Sequence, residues 1–400
     1  MAQDGTARRA TPPLLKRLNE RAVLEAIRGG APISRAEIAR RTGISKPTVS
    51  LALRALVDGG VVRETSPDPG RPHYGAVFFE PVPEAALVLG LDIGARFIRG
   101  ALGDLAGNVR ARQDIHFSGA GAASTLDAVV DLCGALVDAA GAQAKRIDSA
   151  VVGVPGVVAP MDSSVSLATN VPGIEGAEFA AALRASLPMP VRLENDINLA
   201  ALGEQWRGVA RGVDDFLFLS VGTGMGAGLV LRGELHRGRN GAAGELDYAF
   251  IGLGPNVDPS AGAVSELTVE LAGRRDATAL LPPYEPREIF AAARAGDALA
   301  RDVVREEARR IALHVMPVAA VADVELVVLG GGLGTNADLL LGPIREQLAE
   351  SLPYPPRVEV SALGEAAVLT GALATGVWSA RENVLAQKPA QPPLKGGQNS

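Results

Sequence analysis

The sequence predicts an α/β protein in which a large two-lobed domain follows a small helical domain that ends in a β-hairpin. From about residue 86 onward, apolar strands alternate with helices, as in sheets covered by helices, and this order of elements recurs along the second half of the chain. The first eighty residues carry thirteen Lys/Arg against eight Asp/Glu, whereas the other 320 carry 26 against 37. A basic module joined to an acidic body indicates nucleic-acid binding by the small domain.

Composition limits the classes that remain. With 400 residues, 47% of them apolar, the chain can bury at least two cores. The first residues lack the apolar stretch of a signal peptide, and no run of eighteen uncharged apolar residues occurs. The single cysteine, Cys133, cannot form an intramolecular disulfide and is expected to be buried on a helix. These features predict a cytoplasmic protein without a membrane segment.

Capping signals predict the first two helices. Apolar residues at 23, 24 and 27 recur at helical spacing behind Asn19, a favourable N-cap, and this run stops at two glycines, 29 and 30. The segment Ser34-Arg35-Ala36-Glu37 is a capping box and predicts a second helix that begins at residue 35 and ends near Gly43.

A third helix opens at Ser45-Lys46-Pro47-Thr48, and its apolar stripe leaves polar residues on other faces. Two short helices around a glycine turn predict a helix-turn-helix, with residues 45–54 reading the major groove. The segments VVRET and AVFFE predict the two strands of a wing that carries Arg71. A helical bundle used for dimerisation is the alternative. The predicted DNA contacts are Arg35, Ser45, Lys46, Thr48, Ser50, Arg54 and Arg71.

Glycine-rich turns follow three predicted strands of the large domain. Glycine lets backbone N–H groups approach an anion closely, so three such turns in one domain favour an ancestral nucleotide cleft, although each alone is more often an ordinary turn. The residues predicted to form nucleotide-like loops are Asp92, Gly94, Gly222, Thr223, Gly224, Gly226 and Gly331.

Polar residues cluster where a strand passes into a helix at Glu194-Asn195-Asp196. Asp196 is a candidate general base on a hydroxyl group, and Asn195 is a candidate to hold a neighbouring hydroxyl. The alternative is that Asp196 or Asn198 only caps the helix. Glu245 lies in a loop of small residues, 241–245, that would admit a polyol; an ordinary solvated acid is the alternative.

Together these residues resemble the ROK family of repressors, open reading frames and sugar kinases, over about residues 14–379. The resemblance implies a winged helix-turn-helix over 14–80 and an actin-like, two-lobed sugar-kinase domain over 86–380. The linker-like composition of residues 1–13 and 384–400 predicts that both ends are disordered. The resemblance places Asn195, Asp196 and Glu245 at the sugar, Asp196 as the kinases' catalytic base, and Asn170 nearby. It also implies that the segments 222–228 and 330–332 correspond to the loops that meet ATP.

The departures from the family pattern concern phosphate and metal. After Asp92-x-Gly94 this chain has Ala95 and Arg96 where the kinases have Gly and Thr, which argues against ATP and Mg²⁺. The segment 252–270 contains no Cys and no His, so the zinc of the family motif is not expected. Tyr248 stands in the place of a histidine that touches zinc and sugar, and Glu266 corresponds to the last acidic residue of the motif.

The sequence therefore predicts a transcriptional regulator, most simply a repressor, that binds a double-stranded DNA operator as a homodimer or higher homo-oligomer and responds to a sugar or sugar derivative. One alternative is an active ATP-dependent sugar kinase that also binds DNA. Another is a DNA-binding protein that responds to no ligand.

Overall fold

The computed structural model describes residues 12–66, 76–117, 121–250, 257–273 and 278–386. Its helices are α1 (Pro12–Arg28), α2 (Arg35–Thr42), α3 (Lys46–Asp58), α4 (Ala122–Ala139), α5 (Glu178–Ser186), α6 (Asp196–Arg207), α7 (Ala261–Ala272), α8 (Pro286–Ala295), α9 (Ala298–Ala322), α10 (Gly331–Gly334), α11 (Ala337–Ser351) and α12 (Ala367–Ala386). Its strands are β1 (Ile33–Ser34), β2 (Val62–Thr65), β3 (Phe78–Pro81), β4 (Leu87–Ile93), β5 (Phe97–Asp104), β6 (Val109–His116), β7 (Ile147–Val154), β8 (Val157–Val158), β9 (Val165–Ser166), β10 (Val191–Asn195), β11 (Phe216–Val221), β12 (Met225–Leu231), β13 (Glu234–Leu235), β14 (Leu326–Gly330) and β15 (Arg357–Val360). None of the described helices is long and apolar enough to span a bilayer.

The N-terminal domain is a winged helix. The helices α1, α2 and α3 enclose a core that includes Val23, Leu24 and Ile27, and a sheet of order β1-β3-β2 closes it, with Phe79 of β3 buried. The helix α1 starts at Pro12, so Asn19 lies inside it and the predicted N-cap is wrong. Prolines are tolerated in the first turn of a helix, which lets α1 begin earlier than the apolar spacing suggested.

The two predicted caps of the helix-turn-helix are present. The Ser34 hydroxyl accepts a hydrogen bond from the Glu37 backbone N–H at 3.3 Å, and the Ser45 hydroxyl accepts one from the Thr48 N–H at 3.4 Å. Between these helices Gly43 adopts φ 69°, the left-handed conformation that favours glycine. Half of the capping box is missing, because the Glu37 carboxylate binds Arg40 and Arg41 and makes no return bond to Ser34.

The large domain contains two sheets with the same connectivity. One runs β6-β5-β4-β7-β10 and the other β13-β12-β11-β14-β15; in each, the first three strands form an antiparallel meander and the last two add in parallel. Each sheet has its own apolar core, and Cys133 is buried on α4 in the first. The predicted recurrence is therefore confirmed as two lobes of one actin-like fold.

The helices α6 and α12 pack against each other between the lobes. α6 begins at the end of β10 and also contacts β12 of the second lobe, whereas α12 lies on β4 and β7 of the first. Two glycines permit this approach: a Cβ at Gly203 would clash with the Ala367 carbonyl oxygen, and one at Gly371 with the Leu199 carbonyl oxygen. The backbones of α6 and α12 are thus in direct contact.

The C-terminal end of α12 reaches the winged helix. Val384 and Leu385 pack against the core of the N-terminal domain, and Glu382 forms an ion pair with Arg21 of α1 at 2.9 Å. The expectation that the tail loses its structure at residue 384 is wrong for residues 384–386, because that apolar pair is covered by a second domain. Residues 1–11 and 387–400 lie outside the described residues.

Candidate functional site

The exposed face of α3 lies opposite the apolar face that holds it in the winged helix. Val49, Ala52, Leu53 and Leu56 are buried, whereas Lys46 and Arg54 are exposed and form no ion pair within the described part of the chain. Arg35, at the start of α2, is exposed as well. Three of the predicted DNA contacts are therefore cations available to an anionic partner.

The hydroxyl residues of the predicted contact set have structural partners. Ser45 is the N-cap of α3, and its hydroxyl lies 2.8 Å from that of Thr48. Ser50 donates its hydroxyl to the Lys46 carbonyl oxygen at 2.9 Å. The three hydroxyl groups thus make hydrogen bonds within the N-terminal part of α3. Arg71, predicted for the wing, lies outside the described residues.

Asp196 opens α6 at the edge of the first lobe's sheet. Its Oδ1 accepts hydrogen bonds from the Ile197 N–H at 2.8 Å and from the Asn195 amide at 3.3 Å, while Oδ2 has no hydrogen-bond partner among the described residues. Burial raises its pKa to about 7, and the charges of Asp92 and Glu245 add to this. The carboxyl groups of Asp92 and Glu245, which come from two other segments, therefore both lie within electrostatic reach of Asp196.

Asn195 is the N-cap of α6, so the alternative that Asp196 or Asn198 caps this helix is wrong. Its Oδ1 accepts from the Asn198 N–H at 2.8 Å, and its Nδ2 donates to the Gly156 carbonyl oxygen at 2.9 Å. The amide thus ties α6 to the loop after β7. Its hydrogen bonds orient Asp196, and the amide is largely occupied by the protein itself.

Glu194 supports this junction through ion pairs that no sequence pattern indicates. Its buried carboxylate receives Arg237 at 2.6 Å and Arg192 at 3.4 Å, and it accepts from the Asn198 side chain at 3.2 Å. Arg237 lies after β13 of the other lobe, so the ion pair crosses between lobes. Only the tertiary structure brings these two segments together.

The loop of residues 241–245 lies against protein backbone. A Cβ at Gly241 would clash with the Val158 carbonyl oxygen, and one at Gly244, where φ is 103°, with the Ala227 carbonyl oxygen. The small residues therefore let the loop pack against both lobes. At Gly241 and Gly244 the protein backbone already occupies the space that a polyol was expected to enter. Glu245 projects half-buried from this loop, and burial together with the neighbouring Asp247 raises its pKa.

The remaining predicted sugar contacts are solvent-facing. Asn170 is exposed in the loop before α5, Tyr248 is 55% exposed, and Glu266 is exposed on α7. None of the three makes a side-chain hydrogen bond within the described ranges. Asp196 and Glu245 are the pair that the structure places in one electrostatic environment.

Asp92 is held by an arginine that the sequence analysis missed. The Asp92 carboxylate is buried, and Arg99 lies 3.3 Å from it while also pairing with Glu365 at 3.0 Å. Burial raises the pKa of Asp92 to about 6 against the opposing effect of Arg99. This pair could have been predicted from the sequence. A two-residue turn at Ala95 and Arg96 between β4 and β5 places Asp92 directly opposite Arg99.

Two of the glycine loops meet in the second lobe. Gly331, at φ 78°, is pressed against Val221, where a Cβ would clash with the carbonyl oxygen, and Gly332 lies beside Gly222. Gly222, Thr223 and Gly332 line a cavity of about 380 Å³ with Pro286, Arg287, Phe290, Arg294, Leu333 and Asn336. The volume of this cavity suits a small-molecule ligand. Gly226 does not line it and instead lies in β12 against Ile197 of α6.

The residues present fit a phosphate-bound metal poorly. Asp92 is the acidic residue of the first predicted loop, and Arg99 already neutralises its carboxylate. Within the described residues, no three His, Cys, Asp or Glu side chains are grouped as metal ligands. Arg310 of α9 instead anchors the segment before α7, donating to the Asp258 carbonyl oxygen at 2.9 Å. An arginine clamp thus holds the segment where the family pattern would have a metal.

Comparisons agree with both parts of the chain. The ROK family profile matches residues 88–377, and the MarR family profile matches residues 15–72. The xylose repressor of Caldicellulosiruptor bescii is 26% identical over 382 residues, 90% of this chain and 96% of that protein.

Two solved structures share the fold. A ROK family transcriptional regulator, a homologue of the E. coli Mlc protein, aligns with a TM-score of 0.78 over 94% of this chain and 99% of that one, at 23% identity. A ROK family glucokinase from Streptomyces griseus, in complex with glucose and AMPPNP, aligns with a TM-score of 0.60 over 72% of this chain and 99% of that one, at 26% identity. Because the family profile covers most of the chain and the two-lobed fold agrees with it, this protein belongs to the ROK family.

Proposed function

We propose that this protein is a DNA-binding transcriptional repressor whose affinity for its operator is controlled by a sugar or sugar derivative bound between the two lobes. The observation that carries the proposal is α12. One end of this helix packs against α6, which begins at Asp196, and the other end packs against the winged helix. A change in the cleft is thus connected to the DNA-binding domain through two helices in direct contact.

The effector is proposed to lie at Asp196 and Glu245. A sugar hydroxyl that donates to the free Oδ2 of Asp196 favours the ionised carboxylate, whose charge is costly in the empty cleft because of burial. Asn195, Glu194 and Arg237 position this carboxylate. Binding a polyol between segments of the two lobes favours a closed cleft, and closure moves α6 relative to the second lobe.

The junction with the winged helix has room to respond. A cavity of about 200 Å³ lies between the domains, lined in part by Arg28, Val61, Leu105 and Arg381. Burial and the charge of Arg28 lower the pKa of Arg381, whose guanidinium donates to the Leu105 carbonyl oxygen at 2.8 Å. A polar, incompletely packed contact can be rearranged at smaller cost than a close-packed core. In a homodimer, a small rotation there changes the distance between two recognition helices and so weakens operator binding.

The direct test measures operator affinity by fluorescence anisotropy, with and without sugars that include xylose and glucose. We expect a sugar in the panel to raise the dissociation constant for the wild-type protein. Leu385→Asp should retain DNA binding but lose the response, because it separates α12 from the winged helix. Val321→Asp is the matched control, since Val321 is 89% exposed on α9. Affinity that no sugar alters would favour a ligand-independent DNA-binding protein.

A second candidate function is an active sugar kinase, favoured by the cavity between the two glycine loops. Asp196 would then serve as the base on the sugar hydroxyl. The Asp92–Arg99 ion pair argues against phosphate chemistry at this cleft. Turnover of ATP with hexoses, abolished in Asp196→Asn, would establish the kinase; absence of turnover across the panel would eliminate it. We also propose that the protein acts in the cytoplasm as a homodimer, because helix-turn-helix dimers read two half-sites. Sedimentation of the purified chain would test the dimer.

A further inference from the structure

The recognition helix presents one large apolar side chain that its own domain does not cover. Leu51 is 66% exposed, although the neighbouring Val49, Ala52 and Leu53 on the same helix are buried. It lies one turn after Pro47 and just before Arg54, so these three residues follow the exposed face at spacings of four and three. The exposed face of α3 is therefore not uniformly polar.

Leu51 gains little free energy from burial within its own domain. Burial of a leucine side chain is favourable mainly through the apolar area removed from water, and Leu51 gains little of this within the chain. The same position would accept a polar residue without changing the core, because the apolar face of α3 is formed by other residues. The side chain is thus available for contact with a partner that approaches α3 from outside.

The surroundings indicate which partner this is. Arg54 follows Leu51 by three residues on α3, and Lys46 and Arg35, at the starts of α3 and α2, are exposed as well. No ion pair neutralises these three within the described ranges. An exposed apolar side chain one turn from an unpaired arginine on the recognition helix suits the major groove, where phosphates flank the bases and thymine alone presents a methyl group.

We propose that Leu51 reads a thymine by contact with its 5-methyl group, so that the operator carries a thymine at a defined position. This inference rests on the proposed DNA-binding function and makes it more specific. Leu51 lies six residues into α3, within the N-terminal half that meets base edges in helix-turn-helix proteins. The contact is apolar and needs no rearrangement of the helix.

The experiment begins with duplexes selected by the wild-type protein from a randomised library, because the operator is not identified. Each thymine of the selected site is then replaced singly by uracil, which removes only the methyl group. We expect one position at which uracil weakens wild-type binding about four-fold, equivalent to about 0.8 kcal/mol for one buried methyl-sized group. Uracil elsewhere should leave the affinity unchanged.

Two variants assign the effect to Leu51. In Leu51→Ala, thymine and uracil at that position should bind equally, and thymine should no longer be enriched there in a new selection. Leu51→Met, which keeps an apolar side chain of similar reach, should retain most of the discrimination. Both variants should melt like the wild type, since the replaced side chain is exposed.

The outcomes separate the two levels of the argument. If Leu51→Ala distinguishes thymine from uracil as the wild type does, or if no single methyl group matters to the wild type, the assignment of Leu51 is wrong while DNA recognition stands. If the wild type enriches no sequence from the library at all, the proposed function fails and the inference fails with it.

Discussion

Replacing Asp196 by Asn should protect the folded protein from a loss of stability at alkaline pH, although Asp196 is the central residue of the proposed sugar site. The pKa of this carboxyl is about 7 in the folded chain, against an ordinary value of 3.8. Because the folded state holds the proton more tightly, its advantage is complete below about pH 4 and is lost as the pH rises to 7. An amide, which does not titrate, avoids this loss and keeps the acceptor for the Ile197 N–H.

The size of the effect follows from the shift. Between pH 5 and pH 7 the folded wild type holds one proton more than the unfolded chain. Its free energy of unfolding therefore falls by about 1.36 kcal/mol per pH unit, or by at most about 2.7 kcal/mol. The Asp196 side chain is partly open to water, which screens the charge, so about 1 to 2 kcal/mol is expected. The stability advantage of Asp196→Asn over the wild type should therefore grow by this amount between pH 5 and pH 8.

The assay is urea unfolding followed by tryptophan fluorescence at pH 5, 6, 7 and 8. The chain has two tryptophans, Trp206 on α6 and Trp378 on α12, so the signal reports the helix pair that Asp196 begins. Asp162→Asn is a control that should change the free energy of unfolding in the opposite direction. Hydrogen bonds from Ser164 lower the pKa of Asp162, so removing this carboxylate should destabilise the protein at neutral pH. A free-energy difference between wild type and Asp196→Asn that is equal at pH 5 and pH 8 would refute the reasoning.

Three further predictions concern the DNA face, the clamp and the helix pair. Lys46→Ala should weaken binding to all DNA sequences and lower the salt slope of log K by about one, because one phosphate contact is lost; an unchanged slope in a salt titration would mean that another face binds. Arg310→Met should lower the melting temperature by about 4 °C, since a hydrogen bond from a charged group contributes about 1.5 to 3 kcal/mol, whereas a chelator should leave wild-type melting unchanged. Stoichiometric zinc in a metal analysis would contradict the inference that Arg310, and not a metal, holds the segment before α7. Gly371→Ala should destabilise the α6–α12 pair by about 1 to 3 kcal/mol in urea unfolding, whereas Gly134→Ala, with open space at its Cβ, should not.

The DNA-binding half shows how far local signals reach. The capping serines 34 and 45 and the left-handed Gly43 are properties of neighbouring residues, so the helix-turn-helix could be predicted with its helix starts. The start of α1 was missed because a proline is compatible with a first turn and does not by itself mark one. Leu51 was overlooked for a related reason: its exposure depends on which face of α3 the rest of the domain covers.

The cleft was predictable in its residues and not in their roles. Asp196 and Glu245 could be singled out by their place at a strand end and in a glycine loop, and both contribute to one electrostatic environment. Asn195, predicted as a sugar contact, is the helix cap, because both ends of its amide find backbone partners that lie close only after folding. The Asp92–Arg99 pair could be predicted from the hairpin that joins their strands. The contact between Arg310 and Asp258 could not, because these residues are far apart in the chain.

The sequence by itself determined the fold class, an actin-like domain preceded by a winged helix, because caps, turns and apolar periodicity act over a few neighbouring residues. The tertiary structure alone decided which charges meet, which glycines serve close packing, and that the end of α12 rests on the winged helix. These depend on segments that are up to a few hundred residues apart and are brought together by burial, which no local pattern encodes. The connection from cleft to DNA-binding domain is a property of the assembled fold.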